Sequence, residues 1–319
     1  MSSEVPRTPY TDLALEAAET TQQAPPIPGI EMSEKTHGPV SITKVDITND
    51  QAARALGKPP GTYVTLESDI KTRPQELSEP TQEALEAEFA ALANLAPDAS
   101  VLVAGLGNWN STPDALGPRV VNLVFATRHL RGRVADELAD QLRPVSAIAP
   151  GVLGLTGIET GEIVNGLVEH VKPDLLVVVD ALAAASIDRM LTTIQLSNTG
   201  IQPGSGVGSH TVGITPQNLN VPVISIGVPT VVHALTIAAE TVRALAQSPP
   251  SEVEGTVPFS WQDENRRRNL VERVLSPEMG QLMVTPKEID KAVKDWARLV
   301  ATALNRVLHP ALGDEMGWG

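Results

Sequence analysis

The chain has 319 residues, of which 42% are hydrophobic, so it can bury the core of one large domain or two modest ones. Its formal net charge of −14 argues against direct binding of DNA or RNA, because such a surface needs basic residues to neutralise phosphates. The chain has no cysteine, which excludes disulfides, thiolate metal sites and a cysteine nucleophile.

Two features of the sequence bear on where the protein acts. No apolar run reaches the roughly 18 residues of a membrane span. The first residues, MSSEVPRTPYTD, lack the basic and then apolar pattern of a secretory signal. We therefore expect a cytoplasmic protein that does not contact a membrane.

The first third of the chain changes from a polar lead-in to regular structure. Residues 1–38 are rich in Pro, Thr, Glu and Ser, which predicts an extended lead-in. Alternating apolar residues from Val40 predict one strand, and residues 62–66 predict a second. Apolar residues three or four apart predict a helix over residues 79–95.

From Pro97 onwards, short aliphatic runs alternate with amphipathic stretches. The runs predict buried strands at residues 101–104, 145–149, 175–180 and 221–228. Helical spacing follows or separates them at residues 116–130, 159–171 and 231–246. This alternation predicts an α/β fold with a mainly parallel, doubly wound sheet, whose ligands gather at the carboxyl ends of the strands.

The last part of the chain divides into two segments. Residues 247–286 are polar and contain prolines, which predicts a mobile covering segment. Residues 287–308 carry apolar side chains along one stripe, which predicts a long final helix.

Two aspartates follow apolar strand runs and are candidate catalytic acids. Asp114 lies in the Gly- and Asn-rich stretch after the first run, and Asp180 ends the run LLVVV. Either could instead cap a helix. If both strands lie in one parallel sheet, however, the two carboxyl groups meet at one edge and can share a proton. One would then activate water while the other protonates a leaving group, as in peptide hydrolysis by an acid pair.

A glycine-rich segment over residues 193–210 is a third candidate. Its glycines could present backbone N–H groups to an oxyanion, although a surface loop is the alternative. It lacks the pattern of a phosphate-binding loop, and GLG at residues 105–107 lacks the third glycine of a dinucleotide site. The sequence therefore gives no indication of a nucleotide or other cofactor.

Other catalytic schemes lack their motifs. There is no His-Glu-x-x-His and no Gly-x-Ser-x-Gly, so the sequence predicts neither a zinc protease of that type nor a serine hydrolase. A metal held by Asp114, Asp180 and a histidine remains an alternative, but no metal site is predicted. A non-catalytic binding module on the same scaffold is the second alternative.

Seven blocks of sequence, in order over almost the whole chain, closely resemble the spore germination protease family. They are TDLALEAAE (11–19), GKPPGTYVTLE (57–67), GLGNWNSTPDALGP (105–118), GLTGIETGEIV (154–164), VVDALAAAS (178–186), TTIQLSNTGIQPGSGVG (192–208) and ISIGVPTVVHALTI (224–237). The ordered set, rather than any single block, carries the resemblance.

This resemblance implies an endopeptidase that degrades the small acid-soluble, DNA-coating proteins of spores during germination. It implies a phosphorylase/hydrolase-like fold similar to hydrogenase maturation proteases, and a homotetramer in the forespore or spore core. The family's two catalytic aspartates match Asp114 in TPDALGP and Asp180 in VVDALAA. We expect them to form an atypical aspartic-type site.

The family's members are made as precursors that remove a short N-terminal segment by self-cleavage. Thr11-Asp12-Leu13-Ala14 is similar to the Thr-Glu-(Phe/Ile)-Ala sequence that the family recognises in its substrates. We therefore expect cleavage between Asp12 and Leu13, after an acidic residue and before an apolar one. Residues 1–12 would be the propeptide and residues 13–319 the catalytic domain.

Several residues are candidates for holding substrate. For the oxyanion or the substrate backbone they are Gly204, Gly206, Gly208, Asn108 and Gln195, and Arg189 or Gln195 could contact the acidic side chain before the cut. The sequence departs from the family's usual pattern at His210 and His233, and His233 could add a titratable group beside the site. Glu159 could be structural or functional.

Overall fold

A computed structural model describes residues 10–21, 27–68, 79–134, 142–202, 212–247 and 282–312. One sheet of nine strands runs through these residues. In chain order the strands are β1 (Ile30–His37), β2 (Val40–Ile47), β3 (Gly61–Ser68), β4 (Val101–Gly105), β5 (Val145–Ile148), β6 (Leu175–Ala184), β7 (Thr193–Ser197), β8 (Val223–His233) and β9 (Met283–Val284).

The spatial order of the strands is β1-β2-β3-β7-β8-β6-β4-β5, with β9 paired to β8. The neighbours β8, β6, β4 and β5 are parallel, and all other pairings are antiparallel. The expected α/β fold is confirmed. Its parallel half contains the four strands predicted from the aliphatic runs, and the added antiparallel half contains β1, β2, β3 and β7.

Helices cover both faces of this sheet. In the described ranges they are α1 (Ala14–Thr21), α2 (Asp50–Leu56), α3 (Glu79–Ala93), α4 (Leu116–Val121), α5 (Leu153–Thr156), α6 (Thr160–Val171), α7 (Pro216–Leu219), α8 (Ala234–Gln247) and α9 (Ile289–Leu308), with short 3-10 turns such as Thr112–Asp114 and Ile187–Arg189. None of them is both long and apolar enough to cross a membrane.

Strand β6 explains why its sequence reads as an unbroken apolar run. Val177 and Val179 pack into the large core cluster on one face, which α3, α4 and α9 cover. Leu176 and Val178 pack into a second cluster on the other face, with α6. A strand buried on both faces needs an apolar residue at every position.

The structure corrects the prediction of a long helix over residues 116–130. Helix α4 ends at Val121. The side chain of Asn305 on α9 accepts a hydrogen bond from the Phe125 amide (2.8 Å) and donates one to the Leu123 carbonyl (3.0 Å). This tertiary contact holds the backbone after α4 in a non-helical path, which helical spacing in the sequence cannot reveal.

The extended lead-in expected over residues 1–38 is also wrong where the chain is described. Helix α1 begins at Ala14, and β1 forms an antiparallel hairpin with β2. Ala14 and Ala18 pack against Val45 and Tyr63 of the sheet, so tertiary burial stabilises a helix in a polar sequence. Of the expected covering segment over 247–286, residues 248–281 lie outside the described residues.

Candidate active site

The turn after β4 positions Asp114 at the carboxyl edge of the sheet. The Asn108 amide donates to both the carbonyl oxygen (3.1 Å) and the Oδ2 atom (2.9 Å) of Asp114. Gly107 allows this turn, because its φ of +111° is in the region that favours glycine, and a Cβ there would lie 2.0 Å from the Asp114 carbonyl oxygen. Gly117 in turn lets α4 approach β6 closely, since a Cβ there would lie 2.5 Å from the carbonyl oxygen of Val179.

Asp180 directly follows Val179 on β6 and interacts electrostatically with Asp114. Its Oδ1 atom accepts a hydrogen bond from the Ala181 amide (2.8 Å). Burial, and then the negative charges of Asp114 and Asp12, raise the pKa of Asp180 well above its usual range. Burial also raises the pKa of Asp114. When two carboxylates repel each other in this way, the state in which the two carboxyl groups hold one proton between them is favoured.

Residues 10–21, which we call the N-terminal segment, lie against this site. The backbone amide of Asp12 donates to the carbonyl oxygen of Ala183 (2.9 Å), and the Ala183 amide donates to Oδ2 of Asp12 (2.8 Å). The Tyr10 hydroxyl donates to Oδ1 of Asp12 (2.6 Å). Ala183, near the end of β6, therefore binds both the backbone and the carboxylate of Asp12.

The carbonyl oxygen of Asp12 accepts two hydrogen bonds from side chains. Lys58 Nζ lies 3.0 Å and Gln195 Nε2 lies 3.2 Å from this oxygen. The Oε1 atom of Gln195 in turn accepts from the Ala14 amide (2.7 Å), so its carboxamide binds the backbone on both sides of Leu13. Gln195 is only 7% exposed. These contacts fix the peptide bond between Asp12 and Leu13.

The sheet register places Gln195 and Asp180 on one face. Both residues pair with Gly227 on β8, which lies between them. Two strand spacings therefore separate them, roughly 10 Å. Gly227 leaves room for the side chain of Leu182, since a Cβ on Gly227 would lie 2.5 Å from it.

Leu13 fills an apolar pocket beside these polar groups. It is fully buried (0% exposed) against Leu182, Ala184 and Val232. We call this cluster the Leu13 pocket. Met190, Ile201, Ile237 and Val284 pack around it. The pocket accommodates an apolar side chain directly after an acidic one.

Arg189 does not contact Asp12 as the sequence suggested. Its guanidinium binds Glu19 (2.6 and 2.7 Å) and Glu67 (2.7 Å), and it lies 3.9 Å from Glu16. Glu16 is buried at the start of α1, where Thr11 and the Ala185 amide (2.7 Å) donate to it. Arg189 thus holds α1 on the body of the protein.

The remaining candidates lie in different surroundings. Asn108 contributes its amide to Asp114, while its side chain accepts from the Asn110 amide (2.9 Å). His233 meets the Tyr10 ring edge-on at 5.7 Å, and burial lowers the pKa of His233. Glu159 precedes α6 and makes no side-chain cap. Gly204, Gly206, Gly208 and His210 lie outside the described residues.

Sequence reasoning missed three residues of this arrangement: Tyr10, Lys58 and Ala183. Ala183 acts through its backbone, which no sequence pattern reports. Lys58 stands in the Gly-Lys-Pro-Pro-Gly loop, where a single basic residue among turn formers was the available signal. Across the described ranges, no three His, Asp or Glu side chains lie close enough together to hold a metal ion.

Comparison with known proteins gives consistent results. The sequence profile of the germination protease family matches residues 10–254 and 255–317. The chain is 46% identical to a germination protease of Caldanaerobacter subterraneus, over 96% of this chain and 95% of that protein. It is 41% identical to one of Bacillus subtilis, over 96% of this chain and 94% of that protein.

A search of solved structures found a nickel–iron hydrogenase maturation protease from Thermococcus kodakarensis. The match covers 69% of this chain and 98% of that one, with 17% sequence identity and a TM-score of 0.33.

Proposed function

Because this chain belongs to the germination protease family, we propose that it is an endopeptidase made as a self-processing precursor. Its first cut separates Asp12 from Leu13, and its later substrates are small acid-soluble spore proteins. One observation carries the proposal: the carbonyl oxygen of Asp12 accepts hydrogen bonds from Lys58 and Gln195 beside the acid pair. A peptide bond bound in this way is polarised for attack.

In the proposed mechanism, Asp114 and Asp180 share one proton. The ionised carboxylate takes a proton from a water molecule, and the water oxygen bonds to the carbonyl carbon of Asp12. The C–N bond to Leu13 then breaks, and the leaving nitrogen receives the proton that the pair held. The products are a carboxylate on Asp12 and an amine on Leu13. The raised pKa of Asp180 supports its role as the proton-bearing member at the start.

The contacts of Asp12 and Leu13 support the proposed specificity. The carboxylate before the cut accepts from the Ala183 amide, and the side chain after it fills the Leu13 pocket. A Thr-Glu-Phe-Ala or Thr-Glu-Ile-Ala sequence has the same order of polar and apolar groups. We propose that such a segment of a spore protein binds as residues 11–14 do.

Incubation of the purified full-length chain, followed by intact-mass spectrometry, tests the proposal. We expect a new chain that starts at Leu13, and cleavage of an added peptide containing Thr-Glu-Phe-Ala. Asp114→Asn and Asp180→Asn should each abolish both reactions without unfolding the protein. Asp50→Asn, at an exposed position on α2, is the matched control and should react normally.

The same assay separates the alternatives. A different new N-terminus contradicts the proposed cleavage site, and normal turnover by either asparagine variant contradicts the acid pair. Activity that a chelator removes would favour a metal-dependent maturation-type protease. A folded protein that cleaves neither itself nor the peptide would favour a non-catalytic binding module.

We also propose a homotetramer in the forespore or spore core, on the basis of the family alone. Light scattering of the purified chain measures the assembly, and fluorescent tagging in sporulating cells measures the location. The acidic composition, with 38 Asp and Glu against 24 Lys and Arg, supports contact with spore proteins rather than directly with their DNA.

A further inference from the structure

We propose that Lys58 is a catalytic residue, whose ammonium group stabilises the negative charge that develops on the carbonyl oxygen of Asp12. This inference rests on the proposed function, because it requires that the bond after Asp12 is the one cut. It assigns to Lys58 a role in the reaction that is separate from the proton transfers of the aspartate pair.

The geometry around the carbonyl oxygen is that of an oxyanion hole. Lys58 Nζ and Gln195 Nε2 approach this oxygen at 3.0 and 3.2 Å. Effective oxyanion holes place donors at about 2.7–3.1 Å from the position of the oxyanion, so Lys58 lies within this range and Gln195 lies just outside it. Here one of the donors carries a full positive charge, which strengthens a hydrogen bond to an anion.

The loop that carries Lys58 holds it in place before any reaction. Helix α2 ends at Leu56 and is capped by Gly57, whose φ of +64° is left-handed, and the Lys58 amide donates to the Ala53 carbonyl (3.2 Å). Pro59 follows, and its carbonyl oxygen accepts from the Tyr63 hydroxyl on β3 (2.9 Å). Such a fixed donor needs little reorganisation as charge develops, which is the main source of electrostatic catalysis.

The charges around Lys58 favour its protonated form next to this substrate. Burial lowers the pKa of Lys58, while the negative charges of Asp12 and Glu16 oppose that shift. Asp12 directly precedes the proposed cut, whereas Glu16 follows it on α1. An acidic residue before the cut therefore favours the positive charge that its own carbonyl oxygen needs.

Lys58 also donates to the carbonyl oxygen of Thr11 at 3.1 Å, and the two contacts differ in what the reaction does to them. The Thr11 oxygen keeps its charge throughout. The Asp12 oxygen gains a negative charge when water adds to its carbon and the C=O electron pair moves onto the oxygen. The hydrogen bond from Lys58 to the Asp12 oxygen thus strengthens in the transition state, which is the condition for catalysis rather than mere binding.

During this step Lys58 keeps its proton and only donates a hydrogen bond. When the intermediate collapses, the electron pair returns to form the new carboxylate, the C–N bond breaks, and the aspartate pair protonates the Leu13 nitrogen. Lys58 belongs to the part of the chain that remains after cleavage. It is therefore available in the same position for each later substrate.

The test compares full-length variants by the rate at which the chain starting at Leu13 forms. Lys58→Met removes the charge with little change in length, and we expect cleavage about 100- to 1,000-fold slower, the usual loss for one oxyanion donor. Lys58→Arg keeps the charge and should recover part of the rate. Lys58→Gln keeps a donor without charge and should lie below Lys58→Arg.

Lys44→Met is the matched control, because Lys44 is an exposed lysine on β2 that pairs with Asp46 away from the Asp12 carbonyl. It should cleave at the normal rate. Amide hydrogen exchange at Ala14 and Ala183 reports whether the N-terminal segment is still bound, since these amides donate to Gln195 and Asp12. We expect their protection to be unchanged in the Lys58 variants.

Three outcomes decide the matter. Cleavage by Lys58→Met or Lys58→Gln within about threefold of normal overturns the role of Lys58, since loss of an oxyanion donor costs far more. Slow cleavage accompanied by lost protection at Ala14 and Ala183 also overturns it, because Lys58 would then only anchor the segment. If the unmodified chain forms no product starting at Leu13, the proposed function itself fails, and the role of Lys58 falls with it.

Discussion

Two clusters of buried apolar side chains in this protein are alike in composition but are formed by different parts of the chain. The core under α3 and α9 contains Phe89, Trp296 and the inward residues of β4 and β6, all within the body of the fold. The Leu13 pocket is completed by a residue of the N-terminal segment, next to the bond proposed to be cut. Burial in the first cluster stabilises the fold, whereas burial in the second positions a peptide bond.

The polar surroundings of the two clusters differ in the same way. Around the core, hydrogen bonds such as that from Trp296 Nε1 to the Leu191 carbonyl (3.0 Å) join neutral groups of the fold. Around Leu13, charged groups are concentrated, and burial raises the pKa of Asp114 and Asp180. Such electrostatic strain is typical of sites whose function has a cost in stability.

The largest expected effect is on stability, from Phe89→Ala in the core. Phe89 is fully buried on α3, so its removal leaves a cavity and should lower the free energy of unfolding by about 3–5 kcal/mol. Denaturant unfolding measures this loss. Self-cleavage of the protein that remains folded should keep its rate, and Phe89→Leu should have a smaller effect. A large change in the cleavage rate of folded protein would show that the two clusters are coupled.

Leu13→Ala should instead mainly lower the rate of self-cleavage. It removes most of the side chain that fills the Leu13 pocket, so we expect self-cleavage to slow by about 10- to 100-fold, the value of a few buried methylene groups. Leu13→Ile should react at nearly the normal rate. Time courses by mass spectrometry give the rates. Unchanged cleavage of Leu13→Ala would contradict the proposal that this pocket positions the bond.

We expect self-cleavage to depend on pH through the aspartate pair and not through the core. Because the pKa of Asp180 is raised, the pair retains its shared proton to higher pH, and the active form increases as the pH falls towards that pKa. We expect the rate to rise by up to about tenfold per pH unit as the pair takes up its shared proton, and to fall once both acids are protonated. A rate that does not change over the whole pH range in which the protein stays folded would contradict a shared proton.

The smallest expected effect is a gain in stability from Asp180→Asn. Because the folded state raises the pKa of Asp180, it holds the proton of this acid more tightly than the unfolded chain does. The resulting stabilisation of the folded state is present below the ordinary value of 3.8 and is lost as the pH rises through the folded-state pKa. A neutral amide avoids that loss. We expect the melting temperature at pH 7 to rise by a few degrees, and the gain to disappear at acidic pH.

Asp174→Asn provides the control for that measurement. Hydrogen bonds from the Ser100 amide and hydroxyl lower the pKa of Asp174, so its carboxylate stabilises the fold above the ordinary pKa. Its replacement should lower the melting temperature at pH 7. The same sign for both variants would contradict the assignment of a destabilising charge to Asp180.

Several elements could be predicted from the sequence because their signals are local. The strands β4, β6 and β8 come from short aliphatic runs, and α9 from one apolar stripe. The end of α4 could not be predicted, since Asn305 determines it from the far end of the chain. Strand β1, with the sequence IEMSEKTH, has no apolar alternation and depends on pairing with β2.

The sequence by itself determined the family, the two candidate catalytic aspartates and the expected order of an acidic, an apolar and an alanine residue at 12–14. Only the tertiary structure decided which groups contact that segment. Gln195 and Asp12 are 183 residues apart and interact through the Asp12 backbone, which is chemically the same at every position of the chain. Lys58 meets the same carbonyl from a loop between α2 and β3. Contacts of this kind depend on the sheet order and register, and therefore follow only from the fold.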